Sequence, residues 1–166
     1  MKEFKWKSIF EYIKLIVLTL IITNIILYII SPSKVSGESM EPKFSNGDYV
    51  LLFKTPYIFS DPSYNDLVVI NYNPSSPHTK YIVKRVIGLP GDVLEFKDNL
   101  LYRNGELLEE LYLKEEMMDL PDRIINIPEG KLFVLGDNRN KSIDSRHFGY
   151  IDINKHIVGR VLFKLF

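Results

Sequence analysis

The chain has no cysteine among its 166 residues. That excludes disulfides, thiolate metal sites and a cysteine nucleophile, and it leaves the redox compartment open. It has no net charge either, since 21 Lys and Arg balance 21 Asp and Glu, and no long run of one sign. Neither a nucleic-acid partner nor a strongly acidic or basic partner is called for. Only three histidines occur, His78, His147 and His156, and they stand far apart. There is no internal repeat and no low-complexity segment. Long apolar runs are absent too, with one exception near the start of the chain.

That exception runs from Leu15 to Ile30 without a charged residue, and Ile9, Phe10, Tyr12 and Ile13 extend it backward past Glu11 and Lys14. A spanning helix needs roughly 20 mainly apolar residues, and Lys14 can reach the headgroups by snorkelling. Tyr28 falls near the far interface. Lys2, Lys5, Lys7 and Lys14 precede Leu15 against Glu3 and Glu11, whereas residues 31–166 carry 17 basic and 19 acidic side chains. The positive-inside rule then gives a cytoplasmic segment 1–14, a transmembrane anchor 15–30 whose helix begins near residue 9, and an extracytoplasmic domain 31–166. Two other readings fit the same run: a cleavable signal peptide ending at Ser31-Pro32-Ser33, and the core helix of a soluble protein.

Beyond the anchor the period becomes alternating, with short Val-, Ile-, Tyr- and Phe-rich runs broken by Gly, Pro, Asn and Asp. Strands are predicted over 49–54, 67–72, 80–87, 93–97, 100–103, 131–135 and 157–163, with hairpins at Asp98-Asn99 and Asn104-Gly105. Residues 106–118 read as a short helix or an irregular excursion, and 152–155 as one helical turn. The fold class is therefore mainly β: one N-terminal transmembrane helix followed by an antiparallel β-sheet domain. Leu51, Leu52, Phe53, Tyr57, Ile58 and Phe59 read either as sheet core or as an exposed apolar edge.

Ser36-Gly37-Glu38-Ser39-Met40-Glu41-Pro42 lies a few residues past the anchor. Pro42 disfavours helix at Glu41, so the segment is turn-like or extended. It is either a polar linker or the seat of a nucleophile, Ser39. A serine must pass its proton to a base during attack. None of the three histidines can be paired with it by sequence. Lys84 is the alternative, because in a strand it shares a face with Ile82 and Val86, and desolvation favours the neutral amine. Moving a lysine from about 10.4 to near 8 costs roughly 3 kcal/mol. The competing reading is an edge-strand lysine kept solvated against aggregation.

Three stretches occur in order: Ser36 to Pro42, Tyr81-Ile82-Val83-Lys84-Arg85-Val86-Ile87-Gly88-Leu89-Pro90-Gly91-Asp92, and Gly136-Asp137-Asn138-Arg139-Asn140-Lys141-Ser142-Ile143-Asp144-Ser145-Arg146. Together, behind an anchor, they closely resemble the conserved boxes of bacterial type I signal peptidases, over residues 9–163. The chain is similar to the short, Gram-positive-type form. The resemblance implies a β domain of the signal peptidase type, which self-cleaving LexA-like repressors share. It implies a Ser-Lys dyad, with Ser39 as acylating nucleophile and Lys84 as general base. It further implies Ser142 orienting Lys84, an Asp144–Arg146 ion pair, Asp137 as partner of Arg85, and the Ser39 N–H as an oxyanion donor. No metal and no cofactor are expected. The implied substrates are preproteins bearing signal peptides, cut after small residues at −1 and −3. They would lie extended against the strand ending in Lys84, with pocket candidates Val35, Met40, Ile82 and Val83. Membrane lipid and the protein export machinery are the implied neighbours.

Gly37 and the dipeptide Lys43-Phe44 depart from the family pattern. Gly37 stands where some long members place a serine that completes the oxyanion hole, so no side-chain donor is assigned. Lys43-Phe44 replaces the usual Thr-Leu and puts a charge beside the site. Rival readings are a self-cleaving repressor, which should carry a DNA-binding domain, a catalytically degenerate tethered homologue acting as a binding module, and a Ser-His peptidase, disfavoured by lysine at the matched base position.

Overall fold

The computed structural model describes residues 6–55, 57, 58, 60–72, 81–118 and 120–166. Helix α1 covers Trp6–Ile29, about 36 Å at 1.5 Å per residue, enough to cross a bilayer. Its apolar side chains are exposed all round, which is incompatible with the core helix of a soluble protein. Its polar side chains turn back on their own backbone: Thr19 Oγ1 donates to the Leu15 carbonyl and Asn24 Nδ2 to that of Leu20, each at 2.8 Å. Such internal satisfaction suits a helix surrounded by hydrocarbon.

The helix ends one residue sooner than expected. Ile30, assigned to the anchor, is the first residue of β1 (Ile30–Lys34), and the Ile29 carbonyl accepts the Lys54 N–H at 2.8 Å. The proposed processing site Ser31-Pro32-Ser33 is thus built into a sheet, opposite Leu52, Leu51 and Val50.

The following strands are β2 (Tyr49–Phe53), β3 (Leu67–Asn71), β4 (Tyr81–Gly88), β5 (Val93–Lys97), β6 (Leu100–Arg103), β7 (Glu106–Leu107), β8 (Arg123–Asn126), β9 (Lys131–Leu135), β10 (Ile151–Asp152) and β11 (Ile157–Lys164). All described pairings are antiparallel. One sheet of seven runs β1-β2-β11-β3-β4-β9-β10 and a second of four runs β7-β6-β5-β8. The hairpin residues behave as their chemistry requires. Asp98, Asn99, Asn104 and Gly105 all have positive φ, the geometry that lets a two-residue turn follow strand twist.

Sequence periodicity leaves out β1, β7, β8 and β10, which are short or carry Pro, Ser or Arg. The helical alternative for 106–118 is not realised: after β7 the chain is irregular. The turn at 152–155 is present as α3 (Ile153–His156). An exposed apolar edge at Leu51 to Phe59 is not found in β2, which lies between β1 and β11 with Leu52 buried. Ile58 is exposed, and Phe59 lies outside the described residues.

Three buried clusters position the site. Val35, Met40, Phe44, Val50 and Val69 pack beneath the serine segment. Ile87, Leu94, Phe96, Phe133 and Leu135 join the two sheets. Val68, Ile70, Val86, Leu132 and Val134 fill the remaining face of the larger sheet.

Candidate active site

Ser39 sits in the loop between β1 and β2, which is pinned from several directions. The Val35 N–H donates to the Asp48 carbonyl at 2.8 Å, the Gly47 N–H to the Val35 carbonyl at 3.0 Å, and the Phe44 N–H to the Met40 carbonyl at 2.9 Å. Met40 and Phe44 are anchored in the core, each 1% exposed, while Lys43 points to solvent. The charge of Lys43 is therefore carried away from the buried side of the loop. Gly37 has φ +94°, a conformation glycine adopts without strain, and its N–H donates to Asn46 Oδ1 at 3.0 Å.

Lys84 comes from β4, which is paired on one side with β3 and on the other with β9. The burial of its side chain rules out the solvated edge-strand lysine. The side chain is 1% exposed, and its Nζ lies 2.7 Å from Ser39 Oγ. The next residue, Arg85, engages Asp137 with both prongs: Nε to Oδ1 at 2.8 Å and Nη2 to Oδ2 at 2.5 Å. The fork geometry of guanidinium and carboxylate favours this bidentate contact.

The turn from Gly136 to Arg146 closes over both. The Asn138 N–H donates to the Ser39 carbonyl and Asn138 Nδ2 to the Glu38 carbonyl, each at 3.1 Å. Gly136 lies so near that a Cβ on it would stand 2.5 Å from the Ser39 carbonyl oxygen. Asp144 caps the short helix α2 (Ser145–Phe148), accepts the Gly136 N–H at 3.1 Å, and takes Arg146 Nε at 2.8 Å and Nη2 at 2.9 Å. Burial works to raise the Asp144 carboxyl. The Arg146 hydrogen bonds and charge, with Ser142 and the Gly136 N–H, outweigh it and hold the group below its ordinary value of 3.8.

A carboxyl lowered by folding contributes stability above its unfolded value and loses it as pH falls through the folded one. Asp144→Asn is therefore expected to be less stable than the parent at neutral pH, with the gap closing below about pH 4. Chemical denaturation at pH 7 and pH 3 checks it; a gap equal at both values contradicts it.

Ser142, expected to orient Lys84, lies in the same turn. Its Oγ is buried, so close to Gly136 that a Cβ added there would stand 2.3 Å from it, and it helps to hold the Asp144 carboxyl low. The described histidines act as local caps: His147 Nδ1 accepts the Asp144 N–H at 3.4 Å and His156 Nδ1 the Asp152 N–H at 3.1 Å. His78 lies outside the described residues.

Val35, Met40, Ile82 and Val83 converge with Ser39 on one small cavity of about 90 Å³, floored by Val50 and Val69. Beside it, Tyr81 to Val83 have no strand partner on the β9 side of β4 among the described residues, since that pairing starts at Arg85. A half-open strand edge thus leads to the serine. Sequence reasoning missed Asn138 as the clamp on Ser39, although it stands inside the third box. It also missed a buried Glu110–Arg139 pair, for which no periodicity gives a signal.

Residues 9–166 match the family model described as signal peptidase, peptidase S26. The chain is 35% identical to a signal peptidase I of Bacillus licheniformis over 98% of its own length and 91% of the relative's. It is 36% identical to signal peptidase IB of Staphylococcus aureus (strain COL), covering 95% and 90%. A crystal structure of a signal peptidase I from Enterococcus faecalis V583 is similar at 32% identity and a TM-score of 0.49, covering 64% of this chain and 98% of that one. By full-length match to its relatives, the chain belongs to the signal peptidase family, peptidase S26, whose members are serine endopeptidases.

Proposed function

We propose that this protein removes N-terminal signal peptides from exported preproteins by a Ser39–Lys84 dyad, cutting after small residues at −1 and −3. The observation that carries it is the 2.7 Å contact between Ser39 Oγ and a lysine withdrawn from water. Desolvation favours the neutral amine, which can accept the serine proton as Oγ attacks the scissile carbonyl. The developing oxyanion meets the Ser39 N–H, which no hydrogen bond uses among the described residues. As the tetrahedral intermediate collapses, Lys84 returns the proton to the leaving amine and an ester to Ser39 remains. The lysine then takes a proton from water, hydroxide adds to the ester, and Ser39 is released with the proton restored.

Substrate adds as a strand along Tyr81 to Val83, and the small cavity at Val35, Met40, Ile82 and Val83 limits the side chain next to the cut. The proposed topology is an N-terminus in the cytoplasm, α1 across the membrane and the β domain outside, where preproteins emerge beside lipid and the export machinery.

The test is cleavage of an exported preprotein with an Ala-x-Ala site by detergent-solubilised protein supplied with phospholipid. Cleavage at that site by wild type and not by Ser39→Ala is expected. Absence of cleavage by well-folded wild type overturns the peptidase reading in favour of a tethered binding module. Gly136→Ala is expected to keep the substrate cleft but lose about 100-fold in kcat/KM, because the added methyl forces the backbone away from Ser39. Kinetics within threefold of wild type would show that the turn moves freely.

A further inference from the structure

Between β7 and β8 an irregular strap passes beside the Gly136 turn. Its residue Glu110 is almost completely buried, 6% exposed at the side chain, and its carboxylate grips the fully buried Arg139 from both oxygens: Nη1 to Oε2 at 2.8 Å and Nη2 to Oε1 at 2.5 Å. The Tyr112 hydroxyl donates to Glu110 Oε1 at 2.7 Å. Burial, then the Glu110 charge, push that hydroxyl's pKa up, so it stays a neutral donor. The Tyr112 ring lies 3.9 Å from the Arg85 guanidinium. Two further ties hold the strap. Lys114 Nζ pairs with Glu41, two residues past the serine, at 2.5 Å, and the Lys114 N–H reaches the Asp137 carbonyl at 3.4 Å.

A buried ion pair is weak evidence for stability, because desolvation cancels much of its attraction. The use of this pair lies in what Arg139 does with its remaining donors. Its Nε holds the Gly136 carbonyl at 3.1 Å, and its own carbonyl accepts Arg146 Nη2 at 2.5 Å. Gly136 touches the Ser39 backbone, Asp137 fixes Arg85 beside Lys84, and Asn138 clamps the Ser39 carbonyl. We infer that Glu110 is a positioning residue for the Ser39–Lys84 pair, acting through Arg139 to set the Gly136–Asn138 turn against the nucleophile. The inference rests on the peptidase reading above and adds the strap to its machinery.

The test compares wild type, Ser39→Ala, Glu110→Gln and Glu110→Asp on the same preprotein, with rates counted per serine acylatable by an activated ester and thermal midpoints recorded separately. Glu110→Gln should lower kcat per acylatable serine about tenfold or more, because small misplacements of reacting groups are costly. KM should stay within about twofold, since none of these residues lines the cleft. Glu110→Asp, which restores the carboxylate, should recover part of the loss. A purely structural role would lower only the midpoint and the acylatable fraction. Wild-type kcat per acylatable serine in Glu110→Gln, or a KM that rises in step with the lost kcat, overturns the inference. If Glu110→Gln does not fold, Tyr112→Phe carries the test: about a fivefold fall in kcat at constant KM supports it, and wild-type kcat overturns it. Failure of wild type to cleave would instead remove the peptidase reading, so the two failures are separable.

Discussion

Lys84→Ala is expected to abolish preprotein cleavage, lowering kcat by about a thousandfold or more, while leaving the β domain folded. Loss of a positioned general base alone removes about 10² to 10⁴ in rate, and in the proposed mechanism the same group serves acylation, leaving-group protonation and deacylation. Ser39→Ala should fall equally far, and the double variant no further, because members of one catalytic unit do not add. Stability should move little or upward. Burying an amine opposes folding, so Lys84→Met, which keeps the volume, separates the chemistry from packing. In wild type the rate should rise with pH on the acid side of a free lysine's value of about 10.4, as burial disfavours the ammonium. Steady-state rates from pH 5 to 10 with circular dichroism on each variant decide it. A Lys84→Ala protein that retains normal turnover would sink the dyad.

The largest stability effect is expected at Asp137→Ala. Asp137 is fully buried and is paired with Arg85, which is 7% exposed. Removing the carboxylate strands a guanidinium between Asn65 and Tyr112, where it has one long contact to the Asn65 carbonyl at 3.4 Å and a ring face. Breaking a buried pair from one side costs about 3 to 5 kcal/mol, which for a chain of this size lowers the thermal midpoint by roughly 6 to 20 °C. Replacing both partners together, Arg85→Met with Asp137→Leu, should recover most of that loss, because no unpaired charge remains. Thermal and denaturant unfolding of the two single variants and the double variant tests the pair. A loss below about 1 kcal/mol in Asp137→Ala would mean that water reaches Arg85.

Much of the sheet was legible because its signals are local. The strands over 93–97, 100–103 and 131–135 agree to the residue with β5, β6 and β9, since alternation and the turn residues Asp98, Asn99, Asn104 and Gly105 report backbone geometry directly. β1 was hidden because Ile30-Ser31-Pro32-Ser33 carries no alternating pattern; its pairing with β2 is supplied by the partner strand and by the helix that delivers it. The strap at 108–118 was equally opaque. Glu110, Tyr112 and Lys114 are tied to Arg139, Arg85 and Glu41, and contacts at such separations leave no trace in a short window.

The apolar helix, the antiparallel β class and the three boxes that assign the family could be read from the chain alone, because composition, period and motif order are properties of neighbours in the chain. The sequence also singled out Ser39 and Lys84, but only as two residue types in the right boxes. Tertiary structure decided that they meet at 2.7 Å, that Lys84 lies on a central rather than an edge strand, and that Ser142 Oγ is buried beside Gly136. Burial and hydrogen-bond partnership depend on strands brought together across long loops, and those distances are fixed by packing of the whole domain rather than by any one segment.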